Sequence, residues 1–279
     1  MGEATERQTV GELRLGDIIY SNCFPVHARL IDRPREGDPK LVPGPPSLLN
    51  RLLSEREIDV APSSSIEYAR NADRYRILPD LVIGSKGPVR SILFLSRYNP
   101  SRLDGRVVAL PTASATSVVL LKILLHLRWG TAPTFTWFDQ SSENPFVTGA
   151  DAALFIGDVA LRPGLHERIL YRYDLGEVWY TATGLPFAFA VWQASGGTPE
   201  QLACLQEMLV ASREYFEENH ARLARDYSEH FGLPRRLLDE YWRGLIYRLD
   251  EPMQEGLRSF YRLAVQIGEL EVAPDLAWA

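Results

Sequence analysis

Cysteine is scarce: Cys23 and Cys204 are the only two in 279 residues, and they stand far apart. No disulfide framework and no zinc-ligand spacing can be built from them. Long apolar runs are also missing. The two longest cover 117–127, broken by Lys122 and His126, and 184–192; both fall well short of the ~20 residues that span a bilayer. The amino terminus, MGEATERQTVGELRLGD, is polar and lacks the apolar core of a signal peptide. There is no basic excess. The formal net charge is −6, whereas non-specific nucleic-acid binding needs a positive field. The five histidines (His27, His126, His166, His220 and His230) are scattered without metal spacing. No Walker loop, dinucleotide glycine fingerprint or nucleophile elbow occurs. These absences predict a reduced, cytoplasmic protein with no membrane insertion and no nucleic-acid partner. If it is an enzyme, it should be one that uses neither metal nor nucleotide cofactor.

What is present is a core. Hydrophobic residues make up 46% of the chain and charged residues 24%, enough to fold one large domain or two lobes and to exclude disorder. Apolar patterning predicts a strand from Leu13 to Tyr20, followed by a polar turn, Ser21-Asn22-Cys23-Phe24-Pro25. The stretch 33–46 holds five prolines and two glycines and reads as loop. A helix follows over 46–55, with Ser47 beside Pro46 as its candidate cap. Strands are expected at 58–61, 81–83, 91–96, 106–110, 134–138, 151–156 and within 185–192. Helices are expected after Ser63-Ser64-Ser65, from Ser117 to about Trp129, and over 199–225, 234–248 and 251–270. This strand–helix alternation predicts an α/β chain with mostly parallel sheets and a helical tail. The pattern starts twice, near Leu13 and near Arg106, which two similar lobes would explain.

Two polar loops each sit between a strand and a helix. One is Ser63-Ser64-Ser65; the other contains Thr112, Ser114, Thr116 and Ser117. A helix start leaves about four N–H groups unpaired and carries roughly half a positive charge. Hydroxyls there add donors, so such a site can hold a carboxylate or phosphate. The same residues are also ordinary N-caps. Two such loops, one per lobe, fit a ligand with two anionic groups. Asn22 ends the first strand, where open α/β sheets bind ligands, although an Asx-turn is the alternative role. Cys23 has no His or Lys beside it in sequence and reads as a small buried residue. The rigid Gly87-Pro88 turn holds Arg90 and Ser91 in place. Arg90 is either a carboxylate partner or a solvated arginine. Asp151 and Asp158 bracket a buried strand, and Asp174 with Glu177 fits a capping box.

The blocks Ser21-Asn22-Cys23-Phe24-Pro25, Leu49-Asn50, Glu57-Ile58-Asp59-Val60-Ala61, Ser64-Ser65-Ile66-Glu67-Tyr68-Ala69, Gly87-Pro88-Val89-Arg90-Ser91, Ala109-Leu110-Pro111, Ser114-Ala115-Thr116-Ser117, Gly157-Asp158, Asp174-Leu175-Gly176 and Thr183-Gly184-Leu185-Pro186-Phe187 occur in order. Together they resemble the MqnA family, the chorismate dehydratases of the futalosine route to menaquinone, over nearly the whole chain. The resemblance implies a two-lobed α/β fold of the type-2 periplasmic-binding-protein kind, with a ligand cleft between lobes at 12–95 plus 192–279 and at 96–191, hinged near Ser96 and Val191. It implies dehydration of chorismate, a dianion, to 3-[(1-carboxyvinyl)oxy]benzoate. Asn22 and Ser91 would lie beside the reacting ring. Substrate contacts would come from Ser63, Ser64, Ser65, Arg90, Thr112, Ser114, Thr116 and Ser117, with no cofactor. A homodimer stays open as a partner. Two other readings remain: a cytosolic ligand-binding module of the same fold, and the sister MqnD-type lyase, for which Trp137 or Phe155 would have to stack on a purine. The Ser-Asn-Cys-Phe-Pro turn, and the lack of a histidine at 112–117, favour the dehydratase.

Overall fold

A computed structural model describes residues 10–162 and 169–279. His166 and the first nine residues of the polar tail lie outside them. The first lobe is built on a five-stranded sheet of order β2-β1-β3-β10-β4, the second on one of order β7-β6-β8-β5-β9. In the first, β1 (Arg14–Ile18) pairs in parallel with β2 (Lys40–Gly44) and β3 (Val60–Ser64). β10 (Phe187–Ala194) runs antiparallel between β3 and β4 (Arg76–Ser85). In the second, β6 (Val107–Pro111) pairs in parallel with β7 (Thr134–Phe138) and β8 (Ala152–Ile156). β5 (Ile92–Ser96) runs antiparallel between β8 and β9 (Tyr171–Asp174). The two sheets therefore repeat one order. β6 stands where β1 stands, as the double start of the sequence pattern implies.

The inserted strand of each sheet is the one that follows a crossing between lobes. The chain crosses between Ser85 and Ile92 and returns between Thr183 and Phe187. β5 thus belongs wholly to the second sheet and β10 wholly to the first, so the crossings fall before the 95/96 and 191/192 boundaries anticipated above. The sheets are also mixed rather than mostly parallel. A strand arriving from the other lobe needs no crossover helix, so it is free to run antiparallel.

The helices are α1 (Phe24–Asp32), α2 (Pro46–Ser54), α3 (Ser65–Arg70), α4 (Thr116–Ile123), α5 (Asp158–Leu161), α6 (Leu175–Thr183), α7 (Pro199–Asp226), α8 (Ser228–Phe231), α9 (Arg235–Gly244) and α10 (Glu251–Gln266). A π turn at Leu124–Arg128 prolongs α4. Thr198 and Gln201 form a capping box at α7, and Asp250 caps α10 through Met253 N–H. These stop signals at the helix starts place the tail helices close to the positions read from sequence. Ser47 does not cap α2; the N-cap position is Pro45, with no side-chain bond. β2 lies in the stretch read as loop. It is an edge strand bonded only to β1, so Pro43 removes no ladder bond.

The tail helices pack on the first lobe: α7 on α1 and β4, α9 on α7, and α10 on β10. Trp242 of α9 is fully buried. It stacks on Phe24 with ring centroids 5.1 Å apart, and its Nε1–H donates to Ser21 O at 2.7 Å. The carboxyl-terminal helices thereby grip the turn that carries Asn22.

Candidate active site

Asn22 stands on the turn after β1, and its buried Oδ1 has no hydrogen-bond partner. The turn is fixed from three sides. Cys23 N–H closes it on Tyr20 O at 3.2 Å, Trp242 holds Ser21 O, and Ser21 reaches the opposite lobe. Ser21 Oγ donates to Asp158 Oδ1 at 2.5 Å, and its N–H to Oδ2 at 3.1 Å. Asp158 stands at the start of α5 in the second lobe. Burial raises its carboxyl above the usual range, against the two bonds from Ser21 that pull it down. Next to it, the Tyr20 ring lies on Gly157. That glycine has φ +63°, and a Cβ there would sit 3.2 Å from the ring. Tyr20-Ser21 and Gly157-Asp158 form a clasp between the lobes.

Behind the turn lies His27. Trp192 Nε1–H donates to its Nε2 at 3.1 Å, and its Nδ1 is 2.8 Å from Asp17 Oδ1. An indole nitrogen only donates, so Nε2 accepts and Nδ1 carries the proton toward Asp17. Cys23 Sγ is 3.8 Å from the same Nδ1. The thiol therefore does have a histidine neighbour, one helical turn on, which the sequence reading missed. Burial, and then Asp17, still push that thiol well up, so it stays a packed residue and not a nucleophile. Among the described residues, Asp17, Cys23 and His27 bring potential metal donors within 4.8 Å of one another, with His27 Nδ1 already committed to Asp17.

The two serine-rich helix starts meet in direct contact. Thr116 Oγ1 at the head of α4 accepts from Ile66 N–H of α3 at 3.1 Å and lies 3.3 Å from Ser65 Oγ. Ser65 Oγ donates to Ala188 O at 2.8 Å, and Ser63 Oγ to Asn50 Oδ1 at 2.5 Å. The hydroxyls of Ser63, Ser65 and Thr116 are thus occupied by protein partners. Ser64, Ser114 and Ser117 are the ones that line the inner cavity, while Thr112 lines the outer one.

The third wall is the first crossing. Asp174, which caps α6 through Gly176 and Glu177 N–H, also accepts Val89 N–H at 2.9 Å and Arg90 N–H at 2.5 Å. Burial raises this carboxyl despite those four donors. Gly176 is needed there, because a Cβ would lie 2.5 Å from Gly87 O. Arg90, at φ +65°, turns its side chain outward to Glu240 at 3.6 Å. It lines neither the inner nor the outer cavity of the cleft. Ser91 points inward and is 2% exposed. Its Oγ accepts from Tyr241 O–H at 2.8 Å, and its carbonyl accepts from Gly157 N–H at 2.8 Å.

Asn22, Ser64, Ser91, Ser114, Ser117 and Tyr241 share an inner cavity of about 60 Å³, otherwise walled largely by aliphatic side chains. An outer cavity of about 290 Å³ shares Pro46, Ser64 and Ser114 with it and adds Asn50, Arg70 and Lys122. At its edge Lys122 Nζ pairs with Glu269 at 2.6 Å and Arg70 pairs with Glu269 at 3.3 Å. Sequence reasoning did not promote Tyr20, Asn50, Lys122 or Tyr241. Lys122 was visible as the charge interrupting an apolar run, and Asn50 stood in one of the family blocks. Tyr241 carried no signal, because it lies on an amphipathic helix 150 residues from its partner Ser91. Asp151 is structural: it accepts Val107 N–H at 3.0 Å beside Arg106.

Two lobes, two crossings and a polar cleft between facing sheets define the class: an α/β protein with the periplasmic-binding-protein fold. Solved structures agree on that fold. A protein from Archaeoglobus fulgidus superposes with TM-score 0.73 at 19% identity, covering 93% of this chain and 99% of that one. The periplasmic aliphatic sulphonate binding protein SsuA from Escherichia coli gives 0.66 at 14%, covering 96% and 92%. Within that class the chain belongs to the menaquinone biosynthesis family, whose model matches residues 13–266. It is similar to a chorismate dehydratase of Thermus thermophilus, 30% identical over 256 residues, which cover 86% of this chain and 91% of that protein. It is also similar to a chorismate dehydratase of Campylobacter jejuni, 34% identical over 179 residues, covering 63% and 64%.

Proposed function

We propose that this chain is a hydro-lyase that removes water from chorismate to give 3-[(1-carboxyvinyl)oxy]benzoate in menaquinone biosynthesis. The observation that carries this reading is the unpartnered, buried Oδ1 of Asn22, a residue that lines one cavity together with Ser91. A buried amide oxygen without a partner costs about 1–3 kcal/mol, a cost that a ligand donor such as the departing ring hydroxyl offsets. The elimination breaks the C–H bond at the ring carbon bearing the enolpyruvyl ether and the C–O bond at its hydroxyl-bearing neighbour. It makes one ring double bond and releases water, and aromatisation drives it.

No carboxylate, histidine or lysine lines the inner cavity among the described residues. Amide and hydroxyl groups are poor bases. The proton acceptor in this reading is therefore the substrate's own enolpyruvyl carboxylate, held close to the ring proton. Ser64, Ser114 and Ser117 supply hydroxyl donors for the two carboxylates, the last two at the positive end of α4. The inner cavity has room for only a few waters. The dianion must span both cavities, entering when the lobes part about the two crossings and being sealed in when the Tyr20-Ser21 clasp re-forms on Gly157-Asp158. Closure strengthens each hydrogen bond by excluding water.

The test is incubation of the purified protein with chorismate, watching for the ultraviolet band of a substituted benzoate. Growth of that band with enzyme concentration supports the reading. Tight binding without conversion would show a ligand-binding module instead, the role named for the sulphonate-binding neighbour.

A further inference from the structure

Tyr241 enters the cleft from α9, outside every sequence block that points to the site. Its hydroxyl donates to Ser91 Oγ at 2.8 Å, and the two residues are 1% and 2% exposed. We propose that Tyr241 is a positioning residue for the reaction, fixing both the rotamer of Ser91 and the direction in which Ser91 offers its proton. This rests on the chorismate reading. A serine hydroxyl has one hydrogen to give and two lone pairs to receive. With one lone pair filled by Tyr241, the Ser91 hydrogen is free for another acceptor. Ser91 Oγ makes no hydrogen bond to a protein acceptor among the described residues, so that acceptor is an oxygen of the ligand in the inner cavity.

The arrangement is held in one state. Burial, with Asp158 and Asp174 nearby, keeps the Tyr241 phenol far above its ordinary titration range, so it remains a donor. The next residue, Trp242, holds Ser21 O at 2.7 Å. One turn of α9 therefore reaches two of the cavity's polar residues, Ser91 through Tyr241 and the Asn22 turn through Trp242.

Tyr241→Phe keeps the ring and removes only the hydroxyl. Its kcat on chorismate should fall about tenfold, the worth of one buried hydrogen bond, with KM within about twofold and a thermal midpoint near that of the wild type. Added to Ser91→Ala, the same change should cost nothing further, because the hydroxyl acts only through Ser91. Unchanged kcat in Tyr241→Phe, or a full additional loss in the double variant, overturns the proposal. A high-resolution structure of Tyr241→Phe reads the same claim without turnover. Ser91 should leave its rotamer or occupy two, and a single unchanged rotamer contradicts the assignment. Wild-type protein that leaves chorismate intact would sink the reaction but not the rotamer result.

Discussion

The two lobes share a strand order but not a job. The first carries the four tail helices and most of the large buried aromatics, among them Trp192, Trp242, Tyr241 and Phe260. The second is thinner. The far face of its sheet is covered by a small separate cluster around Leu93, Phe138 and Phe155, and Trp137 on its edge strand is 57% exposed. The candidate site positions follow this division. Asn22 is held by the well-packed lobe, Ser91 by the crossing, and the second lobe brings Ser114, Ser117 and the Gly157-Asp158 half of the clasp. The doubled fold teaches that two halves of one strand order can be packed to different depths.

The sharpest way to break this comparison is at the Asn22 turn. Asn22→Ala should lower kcat by about a hundredfold or more while KM moves only a few-fold, the pattern of a group that acts in the transition state. A large KM change with normal kcat in steady-state kinetics would make Asn22 a binding residue. Packing comes next. Trp242→Ala should cost about 3–5 kcal/mol in denaturant unfolding, whereas Trp137→Ala in the thinner lobe should cost under about 0.5 kcal/mol. Equal losses would mean that the lobes are not packed so differently.

Two carboxyls sharpen the contrast through pH. Asp32, inside the first lobe, is held below the usual range by its bonds to Arg222, with Tyr215 and Tyr227 adding to it against burial. Its contribution is present above the ordinary aspartate value and is lost as pH falls through the depressed value. Asp158, between the lobes, is raised by burial. Its contribution is full below the ordinary aspartate value and is lost as pH rises through the raised one. Thermal midpoints measured against pH for Asp32→Asn and Asp158→Asn should therefore differ from wild type in opposite directions. Slopes of the same sign would refute the clasp's electrostatics. The smallest effect is expected at Arg90. Its side chain faces Glu240 and solvent, so Arg90→Ala should leave KM for chorismate within about twofold, and a tenfold rise would bring it back into the binding site.

Much of the molecule could be read from the chain. β7 falls on its expected residues because TFTWF alternates, and α7 and α10 start where Thr198 and Asp250 cap them. Strand direction was not legible, since a buried strand such as FAFAVWQA reads the same whichever way it runs. β2 was hidden by Pro43 and the prolines around it, which its edge position accommodates. In the site, turn and helix-start residues could be identified as candidates, but not which hydroxyls face the ligand. Ser63, Ser64 and Ser65 are adjacent, and their directions are settled by distant partners: Asn50 for Ser63 and Ala188 for Ser65. The Tyr241–Ser91 and Ser21–Asp158 pairs are likewise products of packing between segments far apart in sequence.

The central claim is that a cleft whose inner wall, among the described residues, holds only amide and hydroxyl side chains as polar groups aligns chorismate for loss of water. Proton NMR of chorismate with wild-type protein and with Asn22→Ala tests it most directly. The account expects the signals of the two saturated ring carbons to vanish and four aromatic protons to appear with wild type, and the change to slow by about two orders of magnitude in the variant. Chorismate left unchanged by wild type, or converted equally fast by both, would contradict it.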